Sequence, residues 1–276
     1  MKSWEKVITE DTNTLTASKM SKTVAGLRTN LLYTMPSVCV ERARLVTEAY
    51  KMHESDPIVL RRAHALAHVL RNMTIYIQAG EIIVGNQAST PRAAPIFPEY
   101  SIDWISSEID EFSQRPADQF VVSPEVKREL LEDVLPYWQG RTLYERARSS
   151  MPPEVWTAQE IGVISGRGNI TSGDGHIIVD IPRVLAEGLE SVISRAERKL
   201  EILHKTTHMN DMRSKAFLEG VLITCRAAIH FAQRYAEKAE QLAAATDDKQ
   251  WRAELLQTAE VCRRVPQKPA RSFQEA

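Results

Sequence analysis

The sequence is most informative at first for what it lacks. It has three cysteines, Cys39, Cys225 and Cys262, and no CxxC pair. An odd number at wide spacing supports neither a zinc knuckle, a redox dithiol nor a disulfide framework, and fits a reducing, cytoplasmic setting. Glycine is scarce, at 11 residues in 276. Long helices tolerate that scarcity, whereas a loop-rich β fold does not. No apolar run approaches the roughly 18 residues of a membrane helix. The start, MKSWEKVITEDTNTLTASK, has no apolar signal core, so a soluble chain with no membrane partner is expected. Charge of neither sign dominates, since 35 basic residues balance 36 acidic ones to a net −1. A nucleic-acid partner is not expected.

What is present reads as helix. Residues 1–35 are a polar lead-in, rich in Thr, Ser and Lys and weakly ordered or forming a short helix. Residues 36–276 form the main body. Val40, Ala43, Leu45, Val46 and Ala49 recur at helical spacing. Pro57 opens a second helix, carrying Val59, Leu60, Ala63, Leu66, Ala67, Leu70 and Met73. The polar turn His53-Glu54-Ser55-Asp56 joins them as a hairpin. Ile82-Ile83-Val84 is short and β-branched and predicts a strand or extended segment. Pro91, Pro95 and Pro98 predict no regular element over 86–101.

Ser123-Pro124-Glu125 is a helix start, and Gly140 ends the segment that follows. Met151-Pro152-Pro153 marks a turn before a short helix through Trp156. Asp180 caps a long helix with the stripe Val184, Leu185, Leu189, Val192, Ile193 and Ala196. Another runs from about Met212 to Ala245, and a last one through Trp251, Leu255, Ala259 and Cys262. The fold class predicted is mainly α, with one or two strands.

Several residues invite a chemical reading. His64 with His68, and His204 with His208, have the i,i+4 spacing that lets two imidazoles share a metal. The first pair reads HALAH, without the glutamate of a zinc protease, and no third ligand is evident. Ordinary helix-face histidines are therefore favoured, and no metal is expected. Cys225 lies in an apolar stripe, where cysteine behaves as a small hydrophobe, and Cys39 is expected to be packed. Arg263 and Arg264 flank Cys262 and can lower its pKa, although a solvated basic helix end explains them as well. The segment GVISGRGNITSGDG, residues 162–175, holds five glycines. It is no phosphate loop. It offers Arg167, Asn169 and Asp174, with His176 just beyond, as a set able to line a pocket for a small polar substrate. Turn chemistry explains the same residue types and is favoured on local grounds.

Taken together, several segments carry a resemblance. SVCVERARLVTEAYK, PIVLRRAHALAHVL and GEIIVGNQASTPRAAPIFPEY resemble the N-terminal region of glycyl radical enzymes of the pyruvate formate-lyase superfamily. So do LPYWQGRTLYERA, GDGHIIVDIPRVLAEGLESVI and AEVCRRVPQKPARSFQEA. The likeness runs from about Pro36 to Ala276. It is strongest to the branch of glycerol and propanediol dehydratases, choline trimethylamine-lyase and isethionate sulfite-lyase.

The resemblance implies the N-terminal helical part of an α/β ten-stranded barrel fold. It implies an anaerobic enzyme that breaks a C–O, C–N or C–S bond of a small polar substrate. The organic radical rests on a backbone glycine, installed by a radical-SAM activating enzyme, and passes to a cysteine thiyl beside a glutamate. A homodimer is implied for the full-length enzyme. Neither the cysteine motif nor the glycine motif RVxGY occurs in these 276 residues. The stop at Ser272–Ala276 accordingly reads as a truncation that leaves the chain inactive by itself. Two alternatives are an enzyme split over two chains and a helical binding module without chemistry. By the resemblance His176 hydrogen-bonds a substrate hydroxyl, Asp174 suits a cationic substrate and Arg167 an oxyanion. Both charges are present, so the substrate class stays open.

Overall fold

The computed structural model describes residues 21–165, 179–203 and 208–276. The polar lead-in contains a helix, α1 (Lys22–Tyr33), with the Ser21 hydroxyl accepting from Val24 N at 3.2 Å. Strand β1 (Ser37–Cys39) follows, then the hairpin of α2 (Glu41–Met52) and α3 (Ile58–Asn72). Beyond β2 (Ala93–Pro95) come short α4 (Asp103–Glu108) and α5 (Pro124–Glu129). A π turn over Leu130–Val134 leads into α6 (Leu135–Trp138). Next are α7 (Leu143–Ser150), α8 (Pro153–Glu160), α9 (Ile181–Leu203), α10 (Met209–Ala245) and α11 (Lys249–Arg264).

Of the two readings of Ile82-Ile83-Val84, strand or extended segment, the strand does not form, and Ile82 and Ile83 stand 57% and 83% exposed. One expectation needs correction. The stretch 86–101, expected to be irregular, supplies β2. It pairs with β1 in parallel, Ser37 opposite Ala93 and Cys39 opposite Pro95. Three-residue strands are too short for a period to announce them, and the proline sits at the strand end, where a missing N–H costs least. Cys39 accordingly belongs to β1 and is packed, as expected.

Local chemistry accounts for the helix boundaries. Ser123 caps α5 by accepting from Val126 N at 3.2 Å. Pro136 cannot donate an amide and its ring crowds the carbonyl four residues back, and the widened turn just before it absorbs that clash. Helix α7 begins with a capping box: the Glu145 carboxylate accepts from Thr142 N, while Thr142 Oγ1 accepts from Glu145 N. No apolar stripe marks that helix. In α9, Asp180 Oδ1 accepts from Arg183 N at 3.3 Å, the expected cap.

The main core lies between β1, α2, α3 and the π turn. It buries Val46, Ala49, Ile105, Phe112, Leu130, Val134 and Trp138. Trp138 Nε1 donates to Thr47 Oγ1 at 2.8 Å, and Thr47 in turn donates to Ala43 O at 2.7 Å. The long helix α10, about 55 Å from end to end, is the spine of the second half. It packs on α3, α9 and α11. Alanines 236, 239 and 243 face Leu255 and Ala259 of α11, and small side chains allow the two helices to approach closely.

Two devices tie the halves together. Arg234 of α10 donates to Leu70 O and Met73 O, each at 2.7 Å, satisfying carbonyls at the end of α3. Helix α9 is broken at Gly188, at φ +71° and ψ 168°. There the segment after α11 lies on its backbone: Leu189 N donates to Pro266 O at 2.9 Å and Glu190 N to Gln267 O at 3.0 Å.

Candidate functional site

The loop singled out by sequence, with Arg167, Asp174 and His176, lies outside the described residues, as does His204. The chain enters it from α8 and Ile164, and leaves it at Val179 and the Asp180 cap of α9. Those anchors sit on opposite sides of the loop in sequence, and each is fixed by its own helix.

Among the described residues a cavity of about 490 Å³ opens between α2, α3 and α10. Its polar wall is Arg42, Tyr50, Arg62, Glu99, Tyr100 and Thr224. Arg42 holds Glu99 with both ends of its guanidinium, at 2.5 and 3.2 Å, and lies 3.7 Å over the Phe97 ring. That fork is half-buried and charge-neutral, which suits a fixed wall more than a ligand clamp. A second cavity, about 470 Å³, is mainly apolar, between Ile82, Ile83, Phe231, Val261, Cys262 and Pro266.

The HALAH pair does not converge on one point. His68 Nε2 meets Glu48 Oε2 at 3.0 Å, and its Nδ1 lies 3.2 Å from Asn72 Nδ2. His64 turns instead toward the hairpin turn. Its ring stacks on His53 at 3.8 Å and 2°, and its Nε2 lies 3.9 Å from Asp56 Oδ2. Burial and the neighbouring His53 lower the His64 pKa below the usual histidine range, with Asp56 opposing them. The i,i+4 rule finds the pair, but the two carboxylates that separate it come from elsewhere in the chain.

The three cysteines are free thiols, Cys39 buried and Cys225 and Cys262 half-buried. Cys39 is buried with its Sγ 3.2 Å from Ser89 Oγ. Burial raises the Cys225 thiol, with a smaller opposing effect from Thr224. Burial also pushes the Cys262 thiol up to about 11. Arg263 and Arg264 do not lower it, because they are engaged elsewhere: Arg263 pairs with Glu240 at 2.6 Å and Arg264 with Glu275 at 3.4 Å. Among the described residues, no hydrogen bond joins any of the three thiols to a carboxylate.

A family model described as pyruvate formate lyase-like matches residues 14–276. The chain belongs to that family. It is 41% identical over 242 residues to the probable dehydratase YbiW of Escherichia coli (strain K12), covering 87% of this chain and 30% of that protein. The glycerol-bound B12-independent glycerol dehydratase from Clostridium butyricum superposes with a TM-score of 0.89 at 37% identity. It covers 95% of this chain and 33% of its own. A glycyl radical enzyme from Archaeoglobus fulgidus gives a TM-score of 0.82 at 31% identity, over 91% of this chain and 32% of its own. The chain thus spans about 30% of the length of the relatives it matches. This pyruvate formate lyase-like chain is mainly helical, as expected, and corresponds to part of the glycyl radical enzyme barrel fold. No helix among the described residues is long and apolar enough to cross a membrane.

Proposed function

We propose that the chain is the N-terminal portion of a glycyl radical dehydratase or lyase that cleaves a C–O, C–N or C–S bond of a small polar substrate. The observation that carries this reading is the likeness to the glycerol-bound dehydratase, which extends over 95% of the chain. In the whole enzyme the radical-bearing glycine, the thiyl cysteine and its glutamate come from outside these 276 residues. The activating partner is a radical-SAM enzyme, the assembly a homodimer and the compartment the cytoplasm.

The residues of this chain contribute binding. His176 donates to or accepts from a substrate hydroxyl and assists its departure. Asp174 and Arg167 decide between cationic and anionic substrates, because a carboxylate stabilises the one and a guanidinium fork the other. Apolar side chains left at the surface, Ile82, Ile83 and Phe217, favour a further polypeptide covering them. That polypeptide is the rest of one chain, or a second chain of a split enzyme.

The test is anaerobic expression of these residues with a radical-SAM activase, followed by electron paramagnetic resonance. No glycyl radical signal is expected, and a signal from this chain alone sinks the reading. In the chain joined to the remainder of the enzyme, His176→Ala should lower kcat at least about 100-fold, the scale of a lost acid–base group. Unchanged turnover removes His176 from the site.

A further inference from the structure

We propose that His53, Asp56 and His64 form a binding site for a divalent transition metal of the zinc type, set in the turn of the α2–α3 hairpin. The three donors come from three successive pieces of backbone. His53 ends α2, Asp56 sits in the turn, and His64 lies well inside α3. His53 Nδ1 is 2.8 Å and His64 Nε2 is 3.9 Å from one oxygen, Asp56 Oδ2. All three donor atoms lie within 4.8 Å of one another. Zinc bonds of about 2.0–2.2 Å place tetrahedral ligand atoms about 3.4 Å apart. The two distances to Asp56 fall on either side of that value.

The backbone of the turn is already fixed. Arg61 Nε donates to His53 O at 3.1 Å, and its Nη2 donates to Asp56 O at 3.2 Å and to Glu54 O. That guanidinium is spent on carbonyls, so it does not compete for the Asp56 carboxylate. Glu54 is held by Arg141 at 2.6 Å and points its charge elsewhere. The imidazoles stack in parallel at 3.8 Å, so their nitrogen lone pairs run alongside each other and one ring must tilt to bring both onto a single ion. Each of the three side chains remains about one-third exposed, at 31%, 32% and 29%. Exposure of that degree lets the ion in and leaves room for water as a fourth ligand. Two imidazoles and one carboxylate suit zinc, copper, nickel or cobalt, and not magnesium or calcium, which take oxygen ligands.

The sequence pattern is His-x2-Asp-x7-His. The spacing rule for helical histidines directs attention to His68, which the fold gives to Glu48 instead. The site uses no residue of the Arg167–His176 loop, so it stands or falls apart from the proposed function. The rival account is a plain histidine–aspartate hydrogen bond that closes the turn.

The test titrates the metal-free chain with Co²⁺ and then displaces it with Zn²⁺. One equivalent should bind, with the intense visible absorption of tetrahedral or five-coordinate cobalt. Calorimetry with Zn²⁺ should show His64→Ala and Asp56→Asn each weakening affinity more than about 10-fold, the loss that even an outer-sphere partner brings. His68→Ala should bind like the unaltered chain. Circular dichroism of each variant without metal checks its helix content, and His64→Gln replaces His64→Ala if that variant unfolds. Binding unaffected by His64 and Asp56 replacement, or weak six-coordinate cobalt spectra, overturns the proposal in favour of the hydrogen-bonded turn.

Discussion

The sharpest prediction concerns Gly188→Ala. At φ +71° and ψ 168° the position lies in a region open essentially to glycine alone. A methyl group there would come within 2.3 Å of Gln267 O, 2.7 Å of Lys268 C and 2.8 Å of Lys268 Cα. All three are backbone atoms, which cannot swing aside as a side-chain tip can. The strained dihedrals cost about 1–3 kcal/mol. Overpacking adds about 1–3 kcal/mol. The expected loss is therefore about 2–6 kcal/mol out of a total stability of order 5–15 kcal/mol. The measurement is urea unfolding followed by far-ultraviolet circular dichroism, with the slope against denaturant checked for constancy. Gly140→Ala is the control: it too has positive φ, +72°, but nothing lies within 4 Å of its added carbon. It should lose only about 1–2 kcal/mol, the cost of left-handed backbone. Hydrogen exchange at Leu189 and Glu190, whose amides bond to Pro266 O and Gln267 O, should speed up in the Gly188 variant alone. If Gly188→Ala costs no more than Gly140→Ala, the close approach of 266–268 to α9 is refuted.

Two further outcomes follow from the core and the cysteines. Thr47→Val leaves the buried Trp138 N–H without its acceptor and should cost about 1–3 kcal/mol in the same unfolding assay. Thr47→Ser keeps the hydroxyl and should recover most of that, and a loss under about 0.5 kcal/mol for valine would count against the bond. Raising the Cys262 thiol from 9.0 to about 11 lowers its thiolate population at pH 8 about 100-fold. The thiolate form is favoured only above that value, so alkylation by iodoacetamide should rise with pH well past 9. Rapid modification at pH 8 would show that the neighbouring arginines govern the thiol after all.

Much of the helical frame could be read from residue patterns. The stripe through Val40 to Ala49, the Pro57 start, the Ser123 and Asp180 caps and the run to Ala245 all correspond to helices, because each depends on neighbours within a few residues. What escaped reading depends on distant partners. The pairing of β1 with β2 joins segments more than fifty residues apart, each too short to carry a pattern. The break at Gly188 has its cause in residues 266–268. The capping box at Thr142 and Glu145 is a local signal, but α7 has too small an apolar face to draw attention to it. For the candidate sites the lesson is similar. His64 could be suspected from spacing, yet its partners are set by the turn and not by the helix register. The Arg167–His176 loop rests on resemblance, since its residues lie outside the described ones.

The grip of Arg234 on α3 has a consequence in time. The guanidinium joins Leu70 and Met73 across 164 and 161 residues of chain. A ribosome adds about 5–20 residues per second, so the hairpin waits roughly 10–30 s for that arginine to be made. During that interval the carbonyls at the end of α3 face water, and the last turn of the hairpin can fray and re-form many times. The end of α3 is thus completed by a side chain that arrives much later, and the two halves of the molecule must mature together.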